Sequence, residues 1–284
     1  MLTNKLRNKA KIATKLLIYP SSPKRIFMIC FQRSGSNMLT SVLNKHPNIN
    51  VIGQIFKDED KFQQQLRQMK IPSFTGKLFN DNLNERNEFY RLENNRELRD
   101  NRNTFDYIDS IYKAYNRKTV ANNQIIKLHG GTLFKDELKI LMCDKRNKFI
   151  LLTRRNLIQN AISWYVARLQ NEWMISNDKK YTKNSIHIDV EILRQYIFNL
   201  KYDEALWCNL ISTYNPISLK LKYEDIIDVD FDWNKIWRFL DLSPIDNTKP
   251  STSKIHNSYD HITNLDQVKQ SLESEENGYI SNNN

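Results

Sequence analysis

Five short apolar runs punctuate an otherwise polar chain and predict its strands. They span residues 25–31, 49–52, 123–128, 147–153 and 216–223. The runs at 25–31 and 147–153 are continuous rather than alternating, which is typical of strands that are covered on both faces of a parallel sheet. Strands that alternate with helices predict an α/β fold, a doubly wound parallel sheet flanked by helices. Helical periodicity fills the intervals between the runs, at residues 37–46, 58–69, 104–118, 135–144, 156–173, 189–212 and 232–240.

The same pattern predicts one domain with polar ends. A chain of 284 residues can bury a full α/β core in a single unit, and we expect that unit to span residues 24–272. Residues 1–23 are basic with a helical pattern, so we expect a basic N-terminal helix there. Residues 76–103 are charged and rich in Asn, which indicates an exposed insertion or lid. Residues 273–284 form a polar tail that we expect to fray.

Charge bears on what this fold binds. The sequence holds 43 Lys and Arg residues against 32 Asp and Glu residues, a formal net charge of +11. A positive field over much of the surface favours anionic ligands, nucleic acid or acidic membranes without selecting among them. Basic residues fall across most of the chain rather than in one stripe, and no nucleic-acid-binding motif occurs. A specific nucleic-acid partner is therefore not expected, although a basic nucleic-acid-binding protein remains an alternative.

The apolar runs also bear on location. None of them approaches the roughly 18 residues that a bilayer-spanning helix requires, so we predict a chain without a transmembrane segment. The basic N-terminal helix leaves a peripheral membrane contact as an alternative to a solvated helix on the domain edge. The sequence contains no Asn-x-Ser/Thr acceptor, which disfavours a glycosylating compartment. We expect a cytoplasmic location.

The three cysteines predict neither a disulfide framework nor a metal site. Cys30, Cys143 and Cys208 lie far apart in the sequence, and none belongs to a CxxC motif or a Cys/His pair with metal-ligand spacing. Each has apolar neighbours, so we expect reduced residues packed in the core. Chemistry without a metal follows as the expectation.

The segment QRSGSN, residues 32–37, directly follows the first apolar run and opens a helix. A loop that enters a helix at the carboxyl end of a parallel strand presents free backbone N–H groups to an anion. Gly35 permits a tight turn, Ser34 and Ser36 add hydroxyl groups, and Arg33 supplies a guanidinium suited to phosphate or sulfate. The triphosphate fingerprint GxxxxGK[ST] and the dinucleotide fingerprint GxGxxG are both absent. A plain strand-to-helix turn remains the alternative.

A second basic turn repeats this arrangement at residues 149–168, FILLTRRNLIQNAISWYVAR. Arg154 and Arg155 follow the strand, and Ser163 lies two helical turns further on. An arginine at a strand end and a serine eight positions later can contact one phosphate from the turn and from the helix face. Alternatively, Arg155 forms a surface ion pair and Ser163 is a helix-packing residue.

Taken together, these two segments resemble those of the sulfotransferases that use 3′-phosphoadenosine 5′-phosphosulfate (PAPS), in particular the bacterial and carbohydrate-type branch. The resemblance implies a P-loop-like parallel sheet of the sulfotransferase type. It also implies that the first loop binds the 5′-phosphosulfate and that Arg155 and Ser163 bind the 3′-phosphate. The first-loop residues implied in this way are Arg33, Ser34, Gly35, Ser36 and Asn37.

Three further segments carry the resemblance. IIKLHGG, residues 125–131, resembles a strand end whose histidine, here His129, acts as general base, with Lys127 as a second cation. LKLKYEDII, residues 219–227, resembles a segment whose tyrosine, here Tyr223, lies near the adenine. KIHNSYDHITNLDQVKQSL, residues 254–272, resembles a C-terminal element that closes over the nucleotide.

Two departures from the family pattern limit what the resemblance implies. Gln54, in VIGQIF, stands where carbohydrate-type relatives have a catalytic glutamate, and an amide cannot accept a proton at neutral pH. The arginine-lysine-glycine signature of the cytosolic branch has no clear counterpart, and Lys249 and Lys254 are weak substitutes. We expect Glu224 and Asp225 to cap or form ion pairs rather than to act as acid or base.

The resemblance therefore predicts an enzyme that moves the sulfuryl group of PAPS to a hydroxyl of a carbohydrate or small-metabolite acceptor. The transfer would be in line, with His129 as general base and no metal. An inert nucleotide-binding protein of the same fold remains an alternative because of Gln54. A nucleotide kinase is the alternative enzyme.

Overall fold

The computed structural model describes residues 25–56, 64, 68–69, 101–118, 121, 123–130, 132–133, 135–170, 185–245 and 259–281. The predicted N-terminal helix, most of the predicted helix at 58–69 and Lys254 lie outside the described residues. So does most of the predicted insertion, of which only the last three residues, 101–103, are described.

A five-stranded parallel sheet forms the centre of the fold, in the order β2-β3-β1-β4-β5. Its strands are β1 (Arg25–Cys30), β2 (Ile49–Gln54), β3 (Asn123–His129), β4 (Asn147–Thr153) and β5 (Ile217–Lys222). The predicted α/β fold with a parallel sheet flanked by helices is confirmed. Each strand lies within a few residues of the apolar run that predicted it, because a parallel strand covered on both faces needs apolar side chains in both directions.

The helices of the described residues follow the strands in alternation. They are α1 (Ser36–Leu43), α2 (Asn101–Lys118), α3 (Lys135–Cys143), α4 (Leu157–Gln170), α5 (Val190–Tyr214), α6 (Tyr223–Ile226), α7 (Asn234–Phe239) and α8 (Leu265–Ser281). The pattern did not predict α6 or α8. Helix α8 continues through most of the segment that we expected to fray, and it is anchored at its start by the buried Val268 and Leu272.

Two apolar cores cover the two faces of the sheet. Phe27 and Ile29 of β1 belong to the larger core, which includes Trp164, Tyr196 and Trp207 from α4 and α5. Met28 and Cys30 of β1 belong to the smaller core, which includes Leu39 of α1 and Trp237 of α7. Alternate side chains of β1 therefore enter opposite cores, which explains why its run of apolar residues is unbroken.

The order of the strands places a switch point beside β1. The chain leaves β1 towards β2 at one edge of the sheet, whereas it leaves β4 towards β5 at the other edge. In an open α/β sheet, ligands bind beyond the carboxyl ends of the strands at such a point. The turns after β1 and β4 meet there, and both are segments that the sequence marked as basic.

Candidate functional site

The turn between β1 and α1 depends on two residues with left-handed backbone conformations. Arg33 has φ 58° and Gly35 has φ 84°. Ser34 is fully buried, and both its N–H and its hydroxyl donate to the carbonyl of Phe31, at 3.2 and 2.7 Å. The Ser34 hydroxyl therefore shapes the turn, and its proton is already engaged.

Gly35 lies directly beneath the ring of Tyr223, the first residue of α6. A Cβ atom added to Gly35 would lie 2.2 Å from Cδ2 of that ring, far inside van der Waals contact. The guanidinium of Arg154 lies on the Tyr223 ring as well, with its Cζ 4.8 Å from the ring centroid. Tyr223, which the resemblance placed near the adenine, thus joins the turns after β1 and β4.

Helix α1 starts at this turn with an N-terminus suited to an anion. Gly35 is its N-cap and provides no side-chain cap, and its first turn contains no acidic residue. The ammonium of Lys127 in β3 lies close by and donates to Oδ1 of Asn37 at 2.9 Å. Backbone N–H groups, the helix dipole and a nearly buried cation therefore add up to a local positive potential.

Cys30 and Ser36 lie on the inner side of the same turn. Burial raises the pKa of the Cys30 thiol, while the nearby charge of Lys127 and a hydrogen bond with Ser36 offset part of that rise. The thiol thus stays protonated at neutral pH, as expected for a core cysteine. Ser36 is itself buried, so Asn37 is the first exposed side chain of the helix.

The turn after β4 is hydrogen-bonded to the turn after β1. Arg154 donates from Nη1 to the backbone carbonyl of Arg33 at 3.1 Å. Arg33 in turn donates from Nε to Oγ of Ser163 in α4 at 2.9 Å. The two segments that the sequence marked as separate anion sites therefore form one continuous arrangement, in which Ser163 contacts Arg33.

Arg155, which we expected to contact a phosphate together with Ser163, is engaged by carboxylates of α6. Its guanidinium forms an ion pair with the carboxylate of Asp225 on α6. Its backbone N–H and that of Asn156 donate to the two carboxylate oxygens of Glu224, at 2.9 and 3.2 Å. The structure thus has Arg155 in the surface ion pair that we considered as the alternative. Asp225 forms the expected ion pair, and Glu224 binds two backbone N–H groups of the turn before α4.

His129 and Lys127 lie at the carboxyl end of β3, next to β1. His129 is 7% exposed, and its backbone carbonyl accepts hydrogen bonds from the N–H and the hydroxyl of Thr132, at 3.2 and 2.7 Å. Gln54, at the end of β2, pairs in register with Lys127. His129, Lys127 and Gln54 therefore lie at the carboxyl ends of two neighbouring strands, β3 and β2.

The sequence did not identify Asp203, a fully buried carboxylate of α5 at this end of the sheet. A Cβ atom added to Gly130 would lie 3.2 Å from its Oδ2. Asn199 and Tyr196 precede it on the inner face of α5 and are also buried, and the Tyr196 hydroxyl lies 3.3 Å from Oδ1 of Asn160. The sequence does contain a signal for this row. Tyr196, Asn199 and Asp203 are spaced by three and four residues, and polar residues at this spacing on the apolar face of a helix indicate that they are buried together.

The described residues contain neither a metal-binding cluster nor a helix that could span a membrane. In that part of the chain, no group of three or more His, Cys, Asp and Glu side chains is placed to ligate a metal ion. Among the described helices, none combines the length and the apolar character needed to cross a membrane.

Comparison with known proteins gives structural likenesses only. No family model matches the chain, and no curated protein matches it. Among solved structures, it is similar to a sulfotransferase domain from the curacin biosynthetic pathway, with 15% identity, 82% of this chain and 79% of that chain covered, and a TM-score of 0.45. It is also similar to a sulfotransferase from Alicyclobacillus acidocaldarius, with 15% identity, 84% and 88% covered, and a TM-score of 0.46. A sulfotransferase domain from the Synechococcus PCC 7002 olefin synthase gives 15% identity, 87% and 84% covered, and a TM-score of 0.44. Backbone similarity at this level assigns no role to any residue of this chain.

Proposed function

We propose that this protein is a PAPS-dependent sulfotransferase that transfers a sulfuryl group to a hydroxyl of a carbohydrate or small-metabolite acceptor. The sulfotransferase type of the fold and a cytoplasmic location are part of this proposal. It rests on the segments that resemble the family and on the way in which the fold brings them together.

One observation carries the proposal. The hydrogen bond from Arg33 Nε to Ser163 Oγ, at 2.9 Å, joins the two basic strand-turn-helix segments at the carboxyl ends of two neighbouring strands. Two basic turns on adjacent parallel strands favour a ligand that carries two separated anionic groups. A nucleotide with phosphates on both its 3′ and 5′ positions has that property.

The turn after β1 fits the 5′-phosphosulfate. Because Gly35 has no side chain and the N-terminus of α1 has no side-chain cap, the backbone N–H groups at the start of α1 are available to a tetrahedral anion. Arg33 and Lys127 add positive charge from two other directions. Ser34 would contribute by holding the turn in shape, since both its N–H and its hydroxyl donate to the carbonyl of Phe31.

The turn after β4 fits the 3′-phosphate, with Arg155 as its exposed cation. Its guanidinium is 58% exposed and can reach a ligand. The Ser163 hydroxyl, which accepts a hydrogen bond from Arg33, would donate its own proton to the same phosphate. Tyr223, between the two turns, would support the nucleoside between its phosphates. Lys254, outside the described residues, remains part of the proposal as a further contact.

The catalytic assignment follows from charge and proton transfer. Bound PAPS would supply the sulfuryl group for an in-line displacement that resembles phosphoryl transfer. Arg33, Lys127 and the amide groups at the start of α1 would stabilise the negative charge that builds up on the leaving phosphate. His129 would accept the proton of the acceptor hydroxyl at a ring nitrogen, and no metal ion takes part in this scheme.

Calorimetry of nucleotide binding tests the cofactor class. We expect adenosine 3′,5′-bisphosphate to bind at least tenfold more tightly than 5′-AMP or ATP, because a charge-assisted contact with a second phosphate contributes about 1.5–3 kcal/mol. Arg155→Ala should abolish that preference, whereas Arg238→Ala, which removes an exposed arginine elsewhere, should preserve it. Equal binding of all three nucleotides would contradict the proposal, and magnesium-dependent ATP turnover would select a kinase.

Transfer assays test whether the site is active. Once an acceptor has been found by screening, we expect His129→Ala to lower the rate of sulfuryl transfer about 10²- to 10⁴-fold while nucleotide affinity changes little. An unchanged rate would show that His129 is not the base. Tight bisphosphate binding without transfer to any hydroxyl acceptor would favour the inert alternative that Gln54 raises.

A further inference from the structure

The exposed arginine of the candidate 3′-phosphate site is already paired with an anion of the protein itself. The guanidinium of Arg155 contacts the carboxylate of Asp225, and these side chains are 58% and 43% exposed. An exposed ion pair of this kind is weak, because water screens both charges. A phosphate, which presents more charge and several acceptor oxygens, can therefore displace the carboxylate.

The neighbouring carboxylate of Glu224 is bound far more firmly. It accepts hydrogen bonds from the backbone N–H groups of Arg155 and Asn156, and its Oε1 lies 3.8 Å from Nε of Arg154. Its side chain is 26% exposed, against 43% for Asp225. Glu224 thus satisfies two backbone donors of the turn before α4, and Asp225 is the carboxylate that can leave without uncovering backbone donors.

We propose that Asp225 is a specificity-determining residue that competes with the second phosphate of the nucleotide for Arg155. The inference rests on the proposed function, because it needs a nucleotide that brings a phosphate to this turn. When the phosphate binds, Asp225 loses its cation and comes to lie near a second negative charge. Asp225 therefore weakens binding of bisphosphate nucleotides and accelerates their release, but does not affect a nucleotide without the second phosphate.

Competition and a purely structural role of Asp225 predict opposite effects of its substitution. If Asp225 merely positioned Arg155, its substitution would weaken binding of the bisphosphate. If Asp225 competes with the phosphate, removal of its charge strengthens binding of the bisphosphate. Asp225→Asn keeps the size and shape of the side chain and removes only the charge. The gain should depend on Arg155, so that the effect is absent in a chain that already carries Arg155→Ala.

Calorimetry on the full chain tests this inference with adenosine 3′,5′-bisphosphate and 5′-AMP as probes. We expect Asp225→Asn to tighten bisphosphate binding about three- to tenfold at low salt and to leave 5′-AMP binding unchanged. Asp232→Asn is the matched control, since it removes the same charge from another exposed arginine pair, and it should change neither affinity. Stopped-flow release of the bisphosphate should be slower from Asp225→Asn than from the unaltered protein.

The outcomes separate this inference from the proposed function. If the unaltered protein prefers the bisphosphate and Asp225→Asn binds it equally or more weakly, the competition is overturned and the proposed function stands. The same gain from Asp232→Asn would reduce the effect to net charge and would overturn the inference as well. If the unaltered protein shows no preference for the bisphosphate and Arg155→Ala has no effect, both proposals fail.

Discussion

At the scale of single residues, Gly35 has little freedom to change. It combines a backbone φ of 84°, which favours glycine, with the Tyr223 ring directly above its Cα. The sequence predicted a glycine at a tight turn. It could not predict the contact with Tyr223, because that contact joins the turn after β1 to a residue after β5.

We predict that Gly35→Ala lowers the free energy of unfolding by about 2 kcal/mol or more. The left-handed conformation costs an alanine about 1–2 kcal/mol, and the added Cβ forces the Tyr223 ring to move. Urea unfolding of the purified variant measures the loss. Because the clash comes from the Tyr223 ring, Gly35→Ala should destabilise the Tyr223→Ala protein less than it destabilises the unaltered protein. A double-mutant cycle measures this difference.

A variant as stable as the unaltered protein would contradict this account of the turn. Nucleotide titrations of the same samples give a second readout. Since the moved ring lies against both basic turns, Gly35→Ala should also weaken binding of adenosine 3′,5′-bisphosphate.

At the scale of elements, the four-residue helix α6 connects the pieces of the site. Tyr223 packs on Gly35, Glu224 accepts from backbone N–H groups of the turn before α4, and Asp225 pairs with Arg155. Ile226 is 1% exposed and fixes the helix in the smaller core. One short segment after β5 therefore sets the distance between the turns after β1 and β4, and a change in its packing would alter both turns at once.

Elements with a strong period were predictable from the sequence, and elements with few anchors were not. The run at 147–153 predicted β4 without error at either end, since every residue of that strand is buried. Helix α8 was missed because most of its residues are polar, and among its described side chains only Val268 and Leu272 are buried apolar residues. Hydrophobic periodicity reflects burial, so a helix with few buried apolar residues leaves a weak signal in the sequence.

Partners within the site were predictable only by residue type. The sequence identified an arginine and a serine of the second basic segment as contacts of one phosphate, but it did not predict that Arg33 donates to Ser163. Arg33 has φ 58°, a conformation uncommon outside glycine, which residue patterns do not reveal. A hydrogen bond between side chains of two separate segments depends on such backbone detail.

At the scale of the whole molecule, the two ends of the sheet carry different groups of charged residues. The carboxyl end carries the basic turns, whereas the amino end is fixed by a buried ionic network. Arg25, at the start of β1, donates to Asp109 and Asp144 at 2.8 and 2.6 Å and to Asn147 at 2.9 Å. Asp144 also accepts from Arg146, and the network thereby joins β1, α2 and the start of β4.

This network makes stability depend on pH through Asp144. Burial alone would raise the pKa of its carboxyl, but hydrogen bonds from Arg146 and the charge of Arg25 outweigh burial and lower it. A carboxyl with a lowered pKa in the folded protein stabilises the fold above its unfolded pKa of about 3.9. That contribution is lost as the pH falls through the lower pKa of the folded state.

We predict that Asp144→Asn lowers the free energy of unfolding at pH 7 by about 3 kcal/mol, because Arg25 and Arg146 lose a charged partner in a buried network. Urea unfolding at pH 7, 5 and 3 measures the difference from the unaltered protein, and that difference should shrink as the pH falls below about 4. Asp136→Asn, at an exposed pair with Lys139, is the control and should cost less than about 0.5 kcal/mol at every pH. A deficit of Asp144→Asn that stayed the same from pH 7 to pH 3 would mean that packing, rather than charge, holds the amino end of the sheet together.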